Sequence, residues 1–149
     1  HRILIESESE ILRGGVACAS QMLRESFRNG RFVSGSARVH PTPRSVLSVH
    51  GGRDRIVVNE VSVHNGENCC ESPGGLMHSV AMTAWAWAGA IGIRGGIRRF
   101  ERGSDDLLYV GYSSSCSKLT SEAYILMQNG HTCRGAEGHI LGFIDRVLA

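Results

Sequence analysis

Residues 76–90 read Leu-Met-His-Ser-Val-Ala-Met-Thr-Ala-Trp-Ala-Trp-Ala-Gly-Ala, the most apolar stretch of the chain. Met77, Ala81, Trp85 and Ala88 fall on one side at helical spacing, with Val80, Ala84 and Trp87 nearby. A helix apolar on most of its faces belongs inside a core. The two tryptophans are two positions apart and cannot share one helical face, so one of them is expected at a boundary, pocket or interface. The wider apolar run, 76–93, is interrupted by His78, Ser79, Thr83 and several glycines, and is too short and polar for a membrane span.

Outward from this helix, the pattern alternates between helices and strands. On the amino-terminal side, residues 2–6 suit a short strand, and 8–28 carry Ile11, Leu12, Val16, Ala19, Leu23 and Phe27 near helical spacing. Residues 31–39 read as a strand ending at His40-Pro41-Thr42-Pro43. Residues 45–49 and 55–63 read as strands joined into a hairpin through the turn formers Gly51-Gly52-Arg53-Asp54. On the carboxy-terminal side comes a glycine- and arginine-rich connection (91–104), then a buried strand (107–112). Two helices follow, at 118–128 and 140–148. This order predicts an α/β layered sandwich with a central mixed sheet flanked by helices. At 149 residues, 1–149 is expected to form a single domain.

Composition narrows the function only a little. Hydrophobic residues make up 42% and charged residues 20%, which suits a globular chain rather than a disordered one. The net charge of +2 gives no strong nucleic-acid signal. Lys118 is the single lysine, and every other side-chain cation of that class is arginine, whose guanidinium suits carboxylate and phosphate ligands. The five cysteines are odd in number and unpatterned, so the thiols are expected reduced and the protein cytoplasmic, with no membrane partner.

Reactive side chains concentrate in His64-Asn65-Gly66-Glu67-Asn68-Cys69-Cys70-Glu71, followed by His78. Imidazole, thiolate and carboxylate are the usual zinc ligands, although no C-x-x-C or H-E-x-x-H pattern occurs. Cys116 precedes the helix expected at 118–128, where amide dipoles lower a thiol pKa, and His78 or His131 would supply its base.

The order of these pieces resembles the cytidine and blasticidin-S deaminase family. Asn65-Gly66-Glu67-Asn68 stands where that family has its nucleoside-binding loop, and Gly74-Gly75 leads into an alanine-rich helix. Ser114-Ser115-Cys116 precedes a later helix, as the family's P-C-x-x-C does. The resemblance implies a deaminase-like fold with zinc held by His78 and Cys116, and a nucleoside or related small molecule hydrogen-bonded by Asn65 and Glu67. The pattern departs from the family at Val80, which replaces the proton-shuttling glutamate, and at Leu119, which replaces the second cysteine. The alternative belongs to a different class of function. The Trp85/Trp87 helix offers a surface for a protein partner or a second copy of the chain, making this a non-enzymatic assembly or interaction domain.

Overall fold

A computed structural model describes the chain except for residues 21, 56–61, 65–66, 73–74, 94–96, 103–106 and 115–116. At 62–64, 67–72, 75–78 and 97–102 it describes the backbone only. The architecture is mixed α/β around a mixed central sheet.

The sheet is organised by β5 (Ser45–Gly51), whose seven residues are all buried. It runs parallel to β1 (Gly14–Cys18) on one side and to β11 (Ser117–Leu126) on the other. A strand in that position is buried on both faces, which is why it reads Ser-Val-Leu-Ser-Val-His-Gly rather than alternating with charged residues. Beyond β11 the sheet continues antiparallel through β10 (Leu107–Ser114) to β9 (Ile97–Arg102), giving the order β1-β5-β11-β10-β9.

Alternate residues of β5 face different partners. Val46 packs with Trp87, Ala86 and Phe32, whereas Leu47 and Val49 pack with Phe143 and Ala136. Trp87 and Ala86 belong to α2 (Val80–Ala90) and Phe32 to the hairpin at 31–38, whereas the second group belongs to α3 (Glu137–Leu148) and the turn before it. A further cluster joins Val80, Ala84 and Ala88 of α2 to Val110, Ala123 and Ile125 of β10 and β11.

Helix α2 begins later than its apolar run does. Ser79 caps it, its hydroxyl accepting from the Met82 amide at 3.1 Å. The preceding residues form β8 (Gly75–His78), antiparallel to β7 (Glu67–Ser72), which pairs in turn with β6 (Ser62–His64). At the other end Gly92 takes φ +78° and Ile93 N–H donates to Ala88 O at 2.9 Å. That left-handed closing residue explains why a glycine stands there.

Several expected elements are corrected. Residues 2–6 form a short helix, α1 (Arg2–Glu6), and no helix runs from 8 to 28. That interval instead holds β1, a single 3-10 turn (Arg24–Ser26) and β2 (Phe27–Arg28). The cause is Arg44, whose guanidinium donates to Leu4 O, Ser7 O, Ser9 O and Leu12 O at 2.7–3.2 Å. Those carbonyls are held in an irregular path toward β1 rather than facing the i+4 amides of a helix. Residues 31–39 are a hairpin, β3 (Arg31–Ser34) and β4 (Ala37–Arg38), reversing at Gly35 with φ +61°. Of the hairpin expected at 45–63, most of the second strand lies outside the described residues, and β5 pairs with β1 and β11. The connection at 91–104 contains β9, and the helix expected at 118–128 is β11.

Removing the Arg44 guanidinium should leave four carbonyls without their donor. Arg44→Met is expected to cost about 3–5 kcal/mol in chemical denaturation, with Arg44→Lys between it and the parent. A loss below about 1 kcal/mol would show that the amino-terminal segment does not depend on this residue.

Candidate active site

The parallel strands β5 and β11 end side by side, and the loops leaving them are laced together. Gly52 N–H donates to Leu126 O and Arg53 N–H to Asn129 O, both at 2.8 Å. Asn129 N–H returns to Leu126 O at 3.0 Å, and its side-chain amide donates to Arg134 O at 2.6 Å. The packing leaves no room at Gly51, where a Cβ would fall on the carbonyl oxygens of Gly130 and Asn129. A glycine is therefore required by close backbone approach.

This arrangement sets His131 over Asp54. The Asp54 carboxylate is fully buried, and its Oδ2 lies 2.8 Å from His131 Nδ1. A carboxylate only accepts, so Nδ1 carries the proton and donates it. That fixes the tautomer and leaves Nε2 with the lone pair when the ring is neutral. The His131 side chain is 40% exposed, which gives the ring access to a ligand. Fully buried His50, on β5, places its Nε2 3.7 Å from the same Asp54 oxygen.

A disulfide between Cys18 and Cys133 ties the end of β1 to the loop two residues beyond His131. It corrects the expectation of reduced thiols for these two cysteines. The closed interval of 115 residues contributes about 4–5 kcal/mol through loop-closure entropy. The His131 loop is thus pinned twice, by backbone bonds to the β5 loop and by a covalent link to β1.

A second polar cluster sits on the α3 side of the sheet. Glu122, 4% exposed, accepts two bonds from Arg146 Nη2 at 2.9 Å and one from Thr120 Oγ1 at 2.9 Å. Tyr109 lies beside it, and burial followed by the Glu122 charge pushes the Tyr109 phenol above its ordinary range. The Tyr124 ring stacks on His139 with centroids 4.3 Å apart. These groups satisfy one another and join α3 to the sheet.

The zinc and nucleoside residues expected from the sequence are distributed differently. Asn65 and Cys116 lie outside the described residues. Glu67 is placed by backbone on β7 opposite His64, and His78 on β8 opposite Cys69. His78 ends a strand instead of opening a helix, and the segment after Cys116 is a strand. The helix at 118–128 whose dipole was expected to lower a thiol pKa is therefore replaced by a strand. Among the described residues, no group of three or more His, Cys, Asp and Glu side chains is arranged to hold a metal ion. In the sequence His131 reads only as a base for Cys116, and Asp54 only as a turn former. The sequence offers no signal joining them, because 118–128 reads as a helix there and only the sheet brings the ends of β5 and β11 together.

No family model, curated protein or solved structure matches the chain.

Substituting Gly51→Ala should push the 129–130 backbone away and take His131 with it. The expected result is a loss of about 1–3 kcal/mol in stability. The low-field imidazole Nδ1–H signal in the proton NMR spectrum should disappear with it. Retention of that signal in the variant would show that the glycine contact does not position His131.

Proposed function

We propose that Asp54 and His131 are the acid–base pair of a hydrolase acting on an ester or related acyl bond. The observation that carries this is one contact: a buried carboxylate 2.8 Å from Nδ1 of a partly exposed histidine, at the carboxyl ends of parallel strands. Ligands of open α/β sheets collect at those strand ends. The chain order, acid and then histidine, is also the order used in α/β-hydrolases, where a nucleophile precedes both. This analogy supports a layered α/β sandwich as the setting of the pair.

The chemistry follows from the tautomer. With Nδ1–H bonded to Asp54, Nε2 takes the proton of an attacking hydroxyl, from water or from a nucleophilic side chain, as its oxygen bonds to the acyl carbon. The resulting imidazolium is stabilised by the buried Asp54 charge. Nε2 then returns that proton to the departing alkoxide as the acyl–oxygen bond breaks, so attack by water gives the acid and the alcohol directly. Attack by a side chain gives the alcohol and an acyl-enzyme, which a water deprotonated by Nε2 then hydrolyses to the acid as the side-chain oxygen recovers its proton. Asp54 remains ionised throughout and acts by orientation and charge. The Cys18–Cys133 link supports a home in an oxidising compartment rather than the cytoplasm.

Hydrolysis of an aryl acetate tests the reading. The unmodified chain should exceed background, His131→Ala should return to background, and Asp54→Asn should lower kcat by about 10³–10⁴. A fluorophosphonate probe, followed by peptide mapping, would locate a nucleophilic side chain if one participates. Hydrolysis unchanged in both variants, or none above background with the low-field Nδ1–H signal present, would reject the proposal.

A deaminase-like zinc site is the second reading, favoured by the strand register that sets His78 directly opposite Cys69. It predicts near-stoichiometric zinc in protein purified without chelator, lost in His78→Ala and Cys116→Ala. Metal-free protein with unchanged ester hydrolysis would eliminate it.

A further inference from the structure

The end of the sheet remote from His131 carries a groove of about 780 Å³ between the β2–β4 hairpins, the 40–43 segment and α2. Its volume lies within the range of small-molecule sites. Residues 40–43 lead into the start of β5, whereas Asp54 follows its end. The seven-residue strand separates the two regions by about 20 Å. The groove is therefore distinct from the candidate active site and does not depend on the function proposed for it.

Its lining combines two chemistries. Trp85, 49% exposed, stands on the groove side of α2, while Trp87 is wholly buried in the core. The Trp85 ring is braced edge-on by Phe27, with centroids 6.1 Å apart and an interplanar angle of 86°. Small residues of α2, including Ala86, Gly89 and Ala90, line the groove beside it and leave space where larger side chains would fill it. Pro41 and Pro43 stiffen the facing wall, because each ring fixes its own φ. Arg31 and Arg38 also line the groove and are exposed, and among the described residues the lining contains no aspartate or glutamate.

An exposed indole sharing a groove with two guanidinium groups, with no carboxylate among the described lining residues, is complementary to a flat ring bearing a negative charge. Indole faces stack on aromatic rings, and guanidinium forks bind carboxylate and phosphate through paired hydrogen bonds. A neutral apolar ligand would leave the arginines unused, and a simple inorganic anion would leave Trp85 half-solvated. We propose that this groove binds a small aromatic anion, an aryl carboxylate or aryl phosphate, with its ring against Trp85 and its charge on Arg31 and Arg38.

Titration with 1-naphthoate, 1-naphthyl phosphate, the neutral isostere 1-naphthamide and the non-aromatic cyclohexanecarboxylate tests each part. Binding is read by calorimetry and by amide shifts at Arg38 and Gly89. Naphthoate or naphthyl phosphate should bind saturably, with naphthamide about tenfold weaker. Arg31→Ala/Arg38→Ala should abolish that difference. Trp85→Ala should weaken the aryl anions at least fivefold, with little change for cyclohexanecarboxylate and recovery in Trp85→Phe. Tighter binding of the phosphate with a steeper salt dependence would identify phosphate as the headgroup, and the reverse would identify carboxylate.

All three variants change exposed side chains, and unaltered thermal melting would show that their folds are intact. Equal binding of naphthoate and naphthamide would overturn the proposal. So would insensitivity to both the arginine and tryptophan variants, or failure of both aryl anions to bind at millimolar concentration. An acidic peptide that shifts the same amides when neither aryl anion does would assign the groove to a protein partner instead.

Discussion

Arg44 is 2% exposed, yet its guanidinium cannot shed its charge. Its solvation is supplied by the carbonyls of Leu4, Ser7, Ser9 and Leu12, gathered from the amino-terminal segment. The next residue, Ser45, begins β5, and its hydroxyl accepts from Thr120 N–H on β11 at 3.1 Å. A single point thus fixes the path into β1, the start of the central strand and its register with β11. Helix α1 and the Trp87 cluster follow from the same anchor, since Leu4 and Ile5 are delivered to that cluster by the segment Arg44 holds.

At the opposite end of β5 the constraint is steric and covalent. The 129–130 backbone crosses Gly51 with no room for a side chain, and Cys133 is tied to Cys18. His131 lies between these two restraints. Its distance from Asp54 is consequently a property of the sheet's end and of two short loops, rather than of a flexible side-chain encounter. A hydrolytic pair benefits from that rigidity because proton transfer is sensitive to small displacements.

The two ends of the sheet therefore differ in chemistry. One buries a carboxylate under a histidine. The other opens a groove whose arginines have no acid among the described residues of the same lining. Tryptophan spacing explains part of this division. Residues 85 and 87 lie on different faces of α2, so burial of Trp87 beside Phe32 turns Trp85 outward toward the groove.

Local physical chemistry determined several elements directly. The apolar stretch 76–90 reads as a buried helix, and its larger part, Val80–Ala90, forms one. The short apolar strand pattern of β5 and the periodic Phe143, Ile144 and Val147 of α3 were equally legible. The 8–28 and 118–128 intervals were not, because their apolar spacing suits a helix as well as a strand. For 117–126 the choice was made by partners distant in sequence: the β10 and β5 ladders, the Ser121 bond to Ala84 O at 2.7 Å, and the Arg146 fork on Glu122. The hydrogen bond between Asp54 and His131 spans 77 positions. The Cys18–Cys133 pair spans 115. Such pairs leave no periodic trace in the chain. Which polar residues became a site was decided by parallel strands ending together, a condition that exists only once the sheet has formed.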